Sequence, residues 1–145
     1  MYRYLGVFDS GDDLPGTFTV TFPDVPEAIT QGNGIADSKE MATEVLELSL
    51  GLYIEDGKDL PPAKTKRAKN GQRIEPSALV QMKLALYEEF RKARIPKTEL
   101  AKRMGIAKQQ IDRLFDLQHS SRVEQLELAF RVIGKTLAIS VQDAA

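Results

Sequence analysis

Residues 97–114 read KTELAKRMGIAKQQIDRL, and this stretch decides how the second half of the chain folds. Leu100, Ala101 and Met104 recur at helical spacing as one apolar face, Gly105 permits a tight turn, and Ile106 turns back toward the core. Ile111 and Leu114 then give a second short helix its inner face. Two short helices joined through a glycine turn make a helix-turn-helix. The outer face of the second helix is left with Lys108, Gln109, Gln110, Asp112 and Arg113. Such a helix fits the DNA major groove, where Gln bonds adenine in a bidentate way and Arg or Lys bonds N7 and O6 of guanine. Lys108, Gln109, Gln110 and Arg113 are therefore the expected base readers, and Lys97, Lys102 and Arg103 the expected phosphate contacts.

Charge agrees with this reading. Residues 91–113 carry 8 basic side chains against Glu99 and Asp112, a net of +6, which is a phosphate-binding footprint. The competing reading of the same residues is a charged helical hairpin on the surface of an all-α domain.

Moving outward, Ser77 after Pro76 is a good N-cap for a helix whose apolar positions Leu79, Met82, Leu86 and Phe90 keep helical spacing. The pattern stays helical to Gly134. Leu137, Ile139 and Val141 then alternate with Ala138, Ser140 and Gln142, which predicts a terminal strand. Val123, Leu126, Leu128, Phe130, Val132 and Ile133 give the last helix two apolar faces, and the strand has no obvious partner beside it. It is expected to pair with its equivalent in a second copy, making a dimer whose two recognition helices read a two-fold site.

Toward the N-terminus the period changes to two. Residues 2–7 and 17–22 alternate as two strands of a hairpin, around a turn-rich connection holding Asp9, Asp12 and Asp13. A third short strand fits Ala28 to Gln31. Asp37 or Ser38 can cap a helix whose stripe Met41, Val45, Leu48 and Leu52, widened by Ala42, Leu46 and Leu50, should lie on the sheet. Its polar side carries Glu40, Glu44, Glu47 and Glu55. From Lys58 to Glu75 a Pro61-Pro62 pair, the basic residues Lys64, Lys66, Arg67 and Lys69, and Asn70-Gly71 read as a linker, with a short strand at Gln72 to Glu75. The fold class is thus α+β: a small three- to four-stranded sheet with one packed helix in residues 1–75, then an all-α helix-turn-helix unit with a C-terminal strand in residues 76–145.

Composition narrows the chemistry. The chain has 145 residues, 42% hydrophobic and 28% charged, enough for one compact domain or two small ones. It has no Cys, which excludes a thiol nucleophile, disulfides and cysteine-ligated metals. The one histidine, His119, sits among Gln118, Ser120 and Ser121 and reads as a surface residue or helix-end cap rather than a base. No apolar run approaches the roughly 18 to 20 residues of a spanning helix, and Met1 to Gly6 lacks a signal-peptide layout, so the expectation is a soluble, cytoplasmic protein with no membrane partner. The formal net charge of -1 hides an asymmetry: residues 1–63 hold 3 basic against 12 acidic side chains, residues 64–145 hold 17 against 9. Two partners of opposite charge are implied.

Two resemblances follow from these residues. The leading helix Ser77 to Arg94, the Glu99-Leu100-Ala101 triplet and the turn Met104 to Ile106 resemble the helix-turn-helix of the Cro/phage-repressor (XRE) family. That family often has Gln at the start of its second helix and Ser at the cap of its third, where this chain has Lys97 and Ala107. The first half resembles the HicB family of antitoxins in Phe22 to Gly34 (FPDVPEAITQGNG), the helix Lys39 to Ile54, and Gly51 to Pro62 (GLYIEDGKDLPP). Together the resemblances cover nearly the whole chain. They imply a non-enzymatic antitoxin that inhibits a HicA-type mRNA-cleaving toxin through a degenerate ribonuclease-H-like domain and represses its own operon by binding operator DNA. A toxin that grips RNA is itself basic, so the acidic first half suits it, and exposure suggests Asp12, Asp13, Asp24, Glu44 and Glu47 as contacts. Dimerisation falls to Leu137, Ile139 and Val141.

Two rival functions compete with this one. A ribonuclease-H-like sheet could host a metal-dependent nuclease built from Asp9, Asp24 and Glu44 or Glu47, but two-metal cleavage needs three or four converging carboxylates, and these acids fall on turns and an outer helix face. A ligand-sensing first domain would need a cofactor motif. There is no G-x-G-x-x-G and no P-loop, Gly32 and Gly34 make a short turn, and the Met41 to Leu52 stripe reads as core, so no cofactor or metal is expected.

Overall fold

The computed structural model describes residues 1–11 and 15–144. Strands β1 (Tyr4–Ser10) and β2 (Thr17–Thr21) form the expected antiparallel hairpin, with Val7 opposite Thr21 and Ser10 opposite Phe18. β3 (Ile29–Asn33) pairs with the outer side of β2, and β4 (Gly71–Ile74) with the outer side of β1, giving the antiparallel order β3-β2-β1-β4. Alternation places Tyr4, Phe8 and Val20 in the core, where they meet Ala42, Leu46 and Leu50 of helix α1 (Gly34–Glu55).

Helix α1 departs from its sequence reading twice. It begins a turn before Asp37 and Ser38, because Gly34 takes a left-handed φ of 80° at the corner and the Asp37 carboxylate accepts the Asn33 N–H at 2.8 Å from inside the first turn. Its buried stripe is Ser38, Ala42, Leu46, Ser49 and Leu50, whereas Leu48 and Leu52 are each 55% exposed. The small residues explain the rotation. A β-carbon on Gly32 of β3 would stand 2.6 Å from the Cα of Ser38, so the helix lies against bare backbone, and Ser38 and Ala42 face the sheet in place of the larger Met41 and Leu48.

The expected linker is fastened to the sheet. Leu60 is buried, the Tyr4 hydroxyl donates to the Pro61 carbonyl at 2.7 Å, and the Phe8 N–H donates to the Asn70 carbonyl at 2.9 Å. Burial pushes the Tyr4 phenol up to about 12, so it stays a donor. β4 then leads into four helices, α2 (Ala78–Ala93), α3 (Lys97–Met104), α4 (Lys108–Phe115) and α5 (Val123–Val132). Ser77 caps α2 as its residue type predicts, accepting the Val80 N–H at 3.3 Å. α2 also ties the two halves together: the Gln81 amide exchanges hydrogen bonds with the backbone of Tyr2 at 2.8 and 2.7 Å, and the Tyr87 hydroxyl donates to the Lys58 carbonyl at 2.6 Å.

The terminal strand expected at Leu137 to Val141 does not form. Among the described residues they have no ladder partner, Ile139 is 78% and Val141 96% exposed, and the segment is tied back where Arg3 Nη2 donates to Gln142 Oε1 at 3.2 Å. Alternating apolar residues make a strand only where they pair with an edge, and this segment pairs with neither of the sheet's outer strands, β3 and β4.

Candidate functional site

Helices α3 and α4 pack their apolar faces inward, with Leu100, Ala101, Met104, Ile111, Leu114 and Phe115 all buried. The turn between them works as its residues predict. Gly105 adopts φ 70°, which a side chain would resist, and the Ile106 N–H closes the turn onto the Ala101 carbonyl at 3.1 Å. Ala107 has no side-chain acceptor to cap α4, and Gln110 compensates in part: its Oε1 accepts the Ala107 N–H at 3.0 Å.

A buried lysine secures the other end of α4. Lys83, on the inner face of α2, has no exposed surface, and its Nζ donates to the carbonyls of Arg113 at 2.9 Å, Asp116 at 2.7 Å and His119 at 2.7 Å. Three ammonium hydrogens thus serve three carbonyls at the helix C-terminus, where a positive charge also meets the negative end of the dipole. Burial pushes its pKa down to about 8, against the pull of Asp116. Sequence reading passed over this residue because the stripe was built from apolar side chains alone. The signal was a charge at position 83, inside the run Leu79, Met82, Leu86 and Phe90.

So held, α4 presents Lys108, Gln109, Asp112 and Arg113 to solvent. Among the described residues, the side chains of Lys108, Gln109, Arg113 and Lys102 make no ion pair and no hydrogen bond. Three of the sequence-predicted residues carry local duties. Gln110 spends its carbonyl on the cap; Lys97 Nζ lies 2.9 Å from Asp112 Oδ1 and 5.8 Å from the Phe115 ring centre; Arg103 binds Glu99 at 3.0 Å and the Val132 carbonyl at 3.1 Å. His119 is half-buried with Nδ1 3.2 Å from Ser121 Oγ, and its backbone carbonyl serves Lys83.

The acidic candidates of the first half separate in the same way. Asp12 and Asp13 lie outside the described residues. Asp24 has both carboxylate oxygens engaged by Thr65, at 2.8 Å to its N–H and 2.9 Å to its hydroxyl, and Glu47 accepts the Ser77 N–H at 3.1 Å. Glu44 stands exposed on the outer face of α1, near the exposed Leu48 and Leu52. Asp9 is exposed near the end of β1, and among the described residues no group of three His, Asp or Glu side chains could hold a metal ion. No helix is long and apolar enough to cross a membrane among those residues.

A four-stranded sheet carrying one helix is thus followed by four helices, of which α3 and α4 join through the Gly105 turn and leave Lys108, Gln109 and Arg113 exposed. The family model described as HicB-like antitoxin of bacterial toxin-antitoxin system matches residues 7–85. Antitoxin HicB of Escherichia coli is 36% identical over 124 residues, spanning 86% of this chain and 89% of that protein. Antitoxin HicB 1 of Photorhabdus laumondii is 32% identical over 128 residues (88% and 80%), and Antitoxin HicB of Pseudomonas fluorescens 27% identical over 130 (90% and 89%). The chain belongs to the HicB family of bacterial antitoxins.

Proposed function

We propose that this antitoxin binds and inhibits a HicA-type mRNA-cleaving toxin through residues 1–75, and that residues 76–145 dimerise and repress its own operon. The observation that carries the DNA half is α4: Lys108, Gln109 and Arg113 are exposed and unpaired while Lys83 and Gln110 fasten both ends of the helix beneath them. Rigid support under free polar side chains is what sequence readout requires. For the toxin half, the support is the acidic excess of residues 1–63 and the exposed Leu48 and Leu52 beside Glu44 on α1, an apolar patch with a negative margin suited to a cationic protein. Dimerisation through Leu137, Ile139 and Val141 is supported by Ile139 and Val141, which the tail leaves in water, while Leu137 packs partly against the core of its own chain.

The test compares binding to the DNA upstream of its own gene with binding to mixed-sequence DNA. Gln109→Ala or Arg113→Ala should cost about 1–3 kcal/mol on the upstream duplex and little on the mixed one, whereas Lys97→Ala or Lys102→Ala should weaken both. Equal losses on the two duplexes for Gln109→Ala and Arg113→Ala would remove α4 from base reading.

A further inference from the structure

The segment from Lys64 to Arg73 is the charge cluster that neither the toxin face nor the recognition helix uses. It holds five basic side chains, Lys64, Lys66, Arg67, Lys69 and Arg73, and no acidic one, directly after a stretch with four times more acid than base. All five are exposed, and among the described residues none has an ion-pair partner. Exposed lysines on a floppy linker would be unremarkable. This loop is instead fixed along its length: Thr65 holds both oxygens of Asp24, the Lys64 N–H closes onto the Pro62 carbonyl at 3.0 Å, the Gly71 N–H onto the Ala68 carbonyl at 3.0 Å, and the Asn70 carbonyl receives the Phe8 N–H. Asn70 itself sits at φ 58°, a left-handed turn that Asn tolerates. The Asp24 carboxylate, which touches the loop, is thereby engaged in holding it and forms no ion pair with its cations.

We infer that residues 64–73 form a second contact to the phosphate backbone of duplex DNA, separate from the recognition helix. Unpaired cations held in a fixed array are repelled by a basic, RNA-gripping partner and attracted to a polyanion. Duplex DNA is the polyanion favoured because the same chain carries α4. A duplex long enough to touch both α4 and the loop would meet the loop's cations at high effective concentration, so even weak contacts would add affinity. The inference rests on the DNA reading of α4, and its test separates the two.

The full-length chain, a variant with Lys64→Gln, Lys66→Gln, Arg67→Gln and Lys69→Gln together, and a variant with Lys108→Ala and Arg113→Ala are titrated with a mixed-sequence 40-base-pair duplex over a range of salt. Each phosphate neutralised contributes about 0.9 to the slope of log affinity against log salt. The loop variant should lower that slope by about 2 to 4 and weaken binding at least tenfold at low salt. A charge-conserving variant, Lys64→Arg, Lys66→Arg, Arg67→Lys and Lys69→Arg, should retain the wild-type slope. An unchanged slope in the loop variant, with a reduced one in the α4 variant, would overturn the loop contact and leave α4 standing. Absence of binding by the wild-type chain would overturn both. Loss by the charge-conserving variant, or a loop-variant loss confined to a 40-nucleotide single-stranded RNA, would also overturn the contact to duplex DNA.

Discussion

Replacing Lys83 by Met keeps the length of the side chain and removes its ammonium. Arg113, Asp116 and His119 then lose the donor to their carbonyls at 2.9, 2.7 and 2.7 Å, at the end of the helix that carries the proposed base readers. A half-buried acceptor left unpaired costs about 1 kcal/mol, near the low end because water can reach part of it, so the three together cost about 3 kcal/mol. Relief of the buried charge returns part of this, leaving a net loss of about 2 kcal/mol at pH 7. Urea unfolding measures the total, and amide hydrogen exchange locates it: residues 113–121 should open more readily while β1 and β2 follow the global change. The pH dependence carries a definite sign. The folded-state pKa of about 8 lies below the ordinary 10.5, so between those values the unfolded chain holds more protons and Lys83 adds to stability as pH rises. Below pH 8 the amine is charged in both states and its burial cost is at its full value, so the advantage of wild type over Lys83→Met should grow from pH 8 toward 10. Unchanged stability together with unchanged exchange in residues 113–121 would refute the clamp.

Gly32→Ala puts a methyl group 2.6 Å from the Cα of Ser38, a clash with backbone that no rotamer relieves, and should cost about 1–3 kcal/mol in thermal unfolding. A wild-type melting temperature would mean that α1 lies further from β3 than described. A chain ending at Lys135 should sediment as a monomer and bind upstream DNA weakly, because Leu137, Ile139 and Val141 are gone; a dimer with normal binding would remove the tail from the interface.

What could be read from sequence was whatever rests on large apolar side chains and special turn residues. The hairpin, the third strand, β4, the Ser77 cap and the α3–Gly105–α4 turn all follow from alternation, helical spacing, an N-cap residue and a glycine. The orientation of α1 was illegible by the same method, since its buried face is built from Ser38, Ala42 and Ser49 and depends on the missing side chain of Gly32 across the gap. The tail misled because alternation describes a strand's faces and says nothing about whether the segment will pair with an edge. At the site, residue type placed Lys108, Gln109 and Arg113 on the exposed face of α4. It could not show that Lys97 would be drawn to Asp112 and Arg103 to the Val132 carbonyl, or that Asp24 and Glu47 would serve as acceptors for Thr65 and Ser77, because those partners lie 15 to 41 residues away; the Gln110 bond to Ala107, three residues back, was within reach of the spacing and was passed over. Lys83 was the informative anomaly, a charge placed where the pattern asked for a hydrophobe.

If one half of this chain silences a HicA-type toxin and the other half reads DNA, the deciding experiment is mRNA cleavage by such a toxin in the presence of increasing full-length antitoxin, wild type and Gln109→Ala in parallel, with antitoxin alone in magnesium as control. The account predicts complete and equal inhibition by both proteins near stoichiometric ratio, and intact mRNA in the control. Cleavage that persists at excess antitoxin, or mRNA cut by the antitoxin alone, would contradict it.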